Sequence, residues 1–169
     1  MGEPLDPLVG GSAEIARFHR FVVQGPAPTD CHIWRGAVSD DGYGRYWIRR
    51  DGKQRVVRPN RYALALALGR PLLDSELALH EVCDNPICVR AGSEPLGRPH
   101  VVVGTQSQNL AGMAAKGRGG GRGQMWHWSG LDRAARAARS RALRDAVRDG
   151  WDEAAVRSAL LASDSPTLF

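Results

Sequence analysis

Lysine is almost missing from this chain: two of its 23 basic residues are lysine and the rest are arginine. With arginine that common, no single guanidinium can be read as functional on its own, and only clusters carry weight. Cysteine is equally scarce. The three present, Cys31, Cys83 and Cys88, are an odd number and cannot all pair as intrachain disulfides. Long apolar runs are absent as well. The longest, residues 62–68, is far below the roughly 18 residues a membrane-spanning helix needs. Glu3 and Asp6 stand where an export leader would be basic, and no apolar stretch follows, so a cytoplasmic location is expected. What remains is ordinary. With 43% hydrophobic and 24% charged residues over 169 positions, the chain can bury one core.

The charge is unevenly spread. Residues 116–150 hold nine basic side chains (Lys116, Arg118, Arg122, Arg133, Arg136, Arg139, Arg141, Arg144 and Arg148) against Asp132, Asp145 and Asp149. That is a net of +6 in a chain whose total is +5, so the rest is near neutral. A basic segment on a neutral body predicts contact with a polyanion. Its first part, residues 116–123 (KGRGGGRG), reads as a flexible linker. Next, Trp126-His127-Trp128 is suited to docking the tail on the body or to stacking on nucleic acid. Ser129 and Asp132 then offer a cap for a helix through Arg148. Arg133, Arg136, Arg144 and Arg148 share one broad face of it, and Ala134, Ala138, Leu143, Ala146 and Val147 form the apolar side. Asp149-Gly150 ends this helix and Asp152 opens another.

Upstream, apolar spacing predicts a helix over residues 12–23, then short β segments at 31–34, 43–49 and 54–57, with turns at Asp41-Gly42 and Asp51-Gly52. Trp34, Tyr43, Tyr46 and Trp47 are expected in the core. A helix over 60–68 stops at Gly69 and Pro71. A strand then ends at His80, a loop spans 81–99, and a second strand covers 100–103. Thr105 with Gln108 forms a capping box for the next helix. The order strand, loop, strand, helix is that of a ββα unit.

That unit holds the chemistry. His80, Cys83, Asp84, Asn85, Cys88, His100 and Asn109 fall within thirty residues. Imidazole and carboxylate can hold a divalent ion, and an unligated imidazole can take a proton from water. Phosphodiester hydrolysis needs those two parts. The cysteines have their own reading: Cys31, Cys83 and Cys88 with a histidine suit a structural zinc, and alternatively are small reduced core residues.

The stretch His80-x-x-Cys83-Asp84-Asn85-Pro86-x-Cys88-Val89, with Pro99-His100 and Gly104-Thr105-x-x-x-Asn109 behind it, resembles the HNH endonucleases. Arg17-Phe18, Cys31-x-x-Trp34-x-Gly36 and Gly42-Tyr43-Gly44-Arg45 resemble the N-terminal part of the same subgroup, which is common among phage, prophage and intron-associated nucleases. The resemblance covers residues 17–118. It implies an α+β fold with a ββα-metal core, an N-terminal helix, a small β segment and a C-terminal helical tail. His80 then matches the general base, His100 a ligand of the catalytic Mg²⁺ or Mn²⁺ (or Zn²⁺ or Ni²⁺), Asn85 the brace that orients the base, and Asn109 a further asparagine close to the site.

Three departures stand out. Leu79 occupies the position before the base where relatives carry a second metal ligand, leaving Asp84 as a substitute. Arg90 and an inserted stretch, 91–98, replace a usual Asn-Pro. The usual Ala-His-Arg is Pro59-Asn60-Arg61, which takes away a histidine that completes the zinc set in relatives and leaves His32 as its stand-in.

The expected organisation is a nuclease domain over 1–115, a basic linker over 116–128 and an Arg-rich helical tail over 129–169. The expected function is metal-dependent DNA cleavage, one strand per visit, with Lys116, Arg118, Arg122, Arg133, Arg136, Arg144 and Arg148 gripping phosphates. The alternative is an inactive, zinc-stabilised DNA-binding module. A homodimer would permit double-strand breaks, and Pro166-Thr167-Leu168-Phe169 resembles sequences that bind a sliding clamp.

Overall fold

A computed structural model describes residues 9–92, 97–115 and 132–161. Helix α1 (Ser12–Arg20) leads into strand β1 (Val22–Gln24), which pairs antiparallel with β2 (His32–Trp34). The first helix is therefore shorter than its apolar spacing predicts. Val22 and Val23 also suit a strand, and pairing with Trp34 and Ile33 claims them for the sheet.

Strands β3 (Tyr46–Arg50) and β4 (Lys53–Val57) form a hairpin around Asp51-Gly52, both with positive φ, as a two-residue primed turn requires. Helix α2 (Pro59–Leu68) starts on a proline and ends on a left-handed Gly69. Strands β5 (Leu77–His80) and β6 (Val101–Gly104) pair antiparallel, His80 opposite Val101. Helix α3 (Gln106–Ala115) follows at once. Its capping box is formed: Thr105 N–H donates to Gln108 Oε1 at 2.8 Å, and Gln108 N–H to Thr105 Oγ1 at 3.3 Å. The fold is thus α+β, with helices around three two-stranded antiparallel sheets.

The core centres on aromatic rings from four elements. Phe18 lies 4.7 Å from Tyr62 and 5.4 Å from Trp34, and Tyr46 lies 5.0 Å from Tyr62. Trp34 and Tyr46 are buried as expected; Trp47 is not, because it sits on the outward face of β3, and Tyr43 is half-buried. Gly44 is needed here, since a Cβ on it would meet Trp34 at 2.7 Å and Pro59 at 2.8 Å.

Helices α4 (Arg133–Ala146) and α5 (Glu153–Leu161), expected as an appended tail, contribute Leu143, Val156 and Ala159 to this same core, and Val147 at the end of α4 joins them. Asp132 caps α4 by accepting from Ala135 N–H at 2.7 Å. The buried stripe of α4 runs through Ala137, Ser140 and Leu143, and Ala134 and Ala138 face solvent. The residues on which the helix docks, rather than its alanine pattern, choose the inner face. Arg136 consequently lies over Gly42 instead of on the solvent face with Arg133 and Arg148. Among the described residues no helix is long and apolar enough to cross a membrane.

One half-buried ion pair lies at the edge of this core. Glu14 accepts from Arg50 at 2.6 and 2.8 Å, from Tyr62 Oη at 2.9 Å and from Gly10 N–H at 2.8 Å. Arg50 holds its carboxyl down to about 2, with Tyr62 and Gly10 assisting against desolvation. A depressed carboxylate stabilises the fold above its unfolded value near 4.5, and that contribution is lost as pH falls toward 2. The melting temperature should therefore drop across this window, and Glu14→Gln should flatten the drop while lowering the plateau at neutral pH. Equal acid slopes for both proteins would refute this.

Candidate metal centre and the histidine beside it

The loop from β5 to β6 folds back onto β2. Trp34 N–H donates to Ile87 O at 2.9 Å and Val89 N–H to His32 O at 2.8 Å, which carries Cys88 to the start of β2, where Cys31 stands. The far end of the loop is closed by Arg90 O, which accepts from both His100 and Val101 N–H at 2.9 Å, and Glu81 N–H donates to His100 O at 3.0 Å. These backbone bonds bring four side chains together. The Sγ atoms of Cys31, Cys83 and Cys88 and a ring nitrogen of His100 all lie within 4.8 Å of one another. Among the described residues this is the one group of three or more Cys, His, Asp or Glu side chains that converges so.

His100 Nδ1 lies 3.6 Å from Cys31 Sγ and 3.6 Å from Cys88 Sγ. Tetrahedral zinc with thiolate and imidazole ligands separates sulfur from nitrogen by about 3.5 Å, so a Zn²⁺ fits between them. The donor set, three soft sulfurs and one imidazole, is also that of structural zinc. Without metal the thiols compete for one negative charge. Cys83 is lowered, first by a hydrogen bond with Cys31, then by Cys88 and, against desolvation, by His80. Cys31 is pushed up to about 12 by Cys83, and Cys88 is raised chiefly by burial. A divalent ion removes that conflict by stabilising all three thiolates.

One expectation changes here. The fourth member of the cysteine set is His100, not His32. His32 stays outside the cluster, held neutral to about 4 by burial, then by Arg90 and His100. His100 is buried, and its ring nitrogen lies with the three cysteine sulfurs. The cause is the closure of the loop at Arg90, which no local pattern reveals.

His80 borders this centre. It ends β5, half-buried, and hydrogen-bonds Cys83. Its Nε2 lies 3.2 Å from Asn60 Nδ2, and its ring centroid is 6.4 Å from that of Tyr43. Asn85 braces the cysteine loop: its Oδ1 accepts from Ile87 N–H at 3.2 Å and its amide supports Cys31. Asp84 adopts a left-handed backbone with φ 48°, and its carbonyl oxygen receives a long contact, 3.5 Å, from Arg139 of α4. Asn109 is half-buried one turn into α3. The start of that helix is close to β5, since a Cβ on Gly104 would meet Leu79 at 2.1 Å. Leu79 itself pairs with Val102 and fills this strand–helix contact, so it offers no ligand.

Two residues that sequence reasoning passed over lie next to the histidine's neighbours Tyr43 and Asn60. Arg58 stacks 4.0 Å over Tyr43 and pairs with Asp41 at 2.8 Å. Arg61 is half-buried on α2 and has no ion-pair partner among the described residues; burial, then Arg58 beside it, reduces its basicity. A desolvated guanidinium without a carboxylate is the signal that could have singled it out. Of the arginines expected to grip phosphate, Arg133 is exposed, Arg136 is half-buried over Gly42, and Arg144 and Arg148 share Asp145 at 3.0 Å. Lys116, Arg118, Arg122, Ser129, the Trp126-His127-Trp128 run and Pro166-Thr167-Leu168-Phe169 lie outside the described residues.

The chain is similar to two proteins of Escherichia phage T7. It is 35% identical to Protein 7.7 over 89 residues, 53% of this chain and 58% of that protein. It is 33% identical to Protein 2.8 over 88 residues, 52% of each. The chain thus covers only a little over half the length of either relative. No family model and no solved structure matches. The similarity places this chain beside phage proteins, and the Cys31, Cys83, Cys88 and His100 cluster makes it a candidate metal protein.

Proposed function

We propose that this chain is a metal-dependent endonuclease that hydrolyses phosphodiester bonds in DNA. The observation that carries the reading is the placement of His80, a half-buried imidazole at the end of β5, against a zinc-type Cys₃His cluster on a strand–strand–helix unit. The cluster holds the loop rigid, and His80 serves as the base. It takes a proton from water as the water oxygen bonds to phosphorus; one bridging P–O bond breaks, and the departing oxygen takes a proton from solvent. A divalent cation, when bound, would neutralise charge on the phosphate. With His100 grouped with the cysteines, Asp84 is the remaining carboxylate of that loop that would hold it, and such a hard donor suits Mg²⁺ or Mn²⁺. Arg61 and Arg58 would meet phosphate oxygens beside the base, and the exposed Arg133 and Arg148 would meet the duplex further out. One base and one hard-ion site favour cutting a single strand per visit.

A second reading is an inactive DNA-binding module, favoured by Leu79, which fills a position where a second ligand is expected. Supercoiled plasmid separates the two. Incubation with Mg²⁺ or Mn²⁺ should yield open circles, EDTA should prevent this, and His80→Ala should slow it by about 10²- to 10⁴-fold while gel-shift affinity is kept. Intact DNA binding with no cleavage under either metal would select the binding module. Cleavage that survives His80→Ala would remove His80 from the mechanism.

A further inference from the structure

A cavity of about 290 Å³ lies between α1, α2 and the segment that follows Cys88. Its walls are mainly apolar, with Val22 of β1, Leu66 and Ala67 of α2 and Val89 among them, and His32 and Arg90 are set into them. None of its lining residues belongs to the cysteine cluster or to the group around His80. Arg90 is the unusual member. It is 2% exposed, yet no carboxylate pairs with it among the described residues. Its Nη1 donates to Asp30 O at 2.6 Å, and Nη2 is buried with no hydrogen-bond partner among the described residues. A guanidinium does not lose its charge, so burying one without a counter-ion is costly unless an anion answers it.

We propose that this cavity binds a small carboxylate with an apolar body, its charge toward Arg90 and its hydrocarbon against α1 and α2. The permanent charge of Arg90 attracts the carboxylate, and the low polarity of the wall leaves that attraction little screened. His32, half-buried in the same wall, has a ring N–H to donate to a carboxylate oxygen. One guanidinium and one imidazole match a monoanion. A phosphate dianion would leave most of its oxygens facing Val22, Leu66 and Val89, where nothing replaces their water. The volume, at the lower limit for ligand pockets, suits a short hydrocarbon chain or a single ring.

The test is titration of the zinc-loaded full chain with hexanoate, with its neutral isostere hexanamide and with inorganic phosphate, followed by calorimetry and thermal melts. Hexanoate should saturate a single site and raise the melting temperature, and the other two should bind about tenfold more weakly or not at all. Arg90→Met, which keeps the length without the charge, should weaken hexanoate by about tenfold or more. That variant also loses the bond to Asp30 O, so Ala67→Trp, at an exposed position of the cavity wall, is the second. It should block hexanoate and leave zinc content and melting temperature near wild type. His80→Ala should bind hexanoate as the wild type does, because the cavity shares no residue with that site. Equal binding of hexanoate and hexanamide overturns the proposal, as do tighter binding of phosphate, absence of saturable binding, and binding that survives both Arg90→Met and Ala67→Trp. Glu94, outside the described residues, is the acid nearest Arg90 in sequence. Hexanoate binding that arises only in Glu94→Gln would mean that the chain's own carboxylate holds the place, and overturns the proposal as well.

Discussion

Stripping zinc from this protein should unfold it. Metal analysis of the purified chain is expected to give one zinc per molecule, and a strong chelator, or Cys88→Ser, should abolish the cooperative melt. Structural zinc in a Cys/His set contributes about 10–16 kcal/mol at neutral pH, comparable to or larger than the roughly 5–15 kcal/mol that holds a typical domain. The location of the ligands makes the loss global. Cys31 precedes β2, Cys83 and Cys88 lie in the β5–β6 loop and His100 precedes β6, so one ion would tie the first sheet to the third. Without it, Cys88 is a fully buried thiol beside two others that cannot share a charge. Zinc binding must release protons from the raised thiols of Cys31 and Cys88, so affinity should fall steeply on acidification. A metal-free chain with an unchanged melting temperature would show that the cysteines are ordinary core residues.

The second large effect concerns Leu143. Replacing it with alanine should cost about 2–5 kcal/mol, the range for truncating a fully buried leucine. Urea titration should still give one transition, with tryptophan fluorescence and helical circular dichroism losing signal together. The reason is that Leu143 of α4 and Val147 just after it lie in one hydrophobic cluster with Phe18, Trp34 and Tyr46. If α4 and α5 were an appended arm, helical signal would be lost early while fluorescence from Trp34 held, and the cost to the body would be below about 1 kcal/mol. The same packing limits what a deletion of residues 116–169 can report. It would remove basic groups and flatten the salt dependence of DNA binding, but it would also open the core, so charge-reversing substitutions at the exposed Arg133 and Arg148 are the cleaner probe.

The sequence alone determined the elements whose signals are local. Asp51-Gly52 set the β3–β4 hairpin because adjacent positive φ values demand such a pair. Pro59 and Gly69 bounded α2, and Thr105 with Gln108 started α3, through bonds that span three residues. The cysteines were legible as a candidate metal set because soft donors gathered near histidines suit zinc. Tertiary structure decided everything that rests on contacts between distant residues. Val22 and Val23 became strand because His32–Trp34 lay within pairing reach. His100 joined the cysteines because its N–H donates to Arg90 O, ten residues earlier in the loop. Asn60 met His80 because α2 packs against β5. An alanine-rich helix such as α4 looks alike on several faces, so only the surface it docks on could choose which arginines face solvent and which are drawn inward.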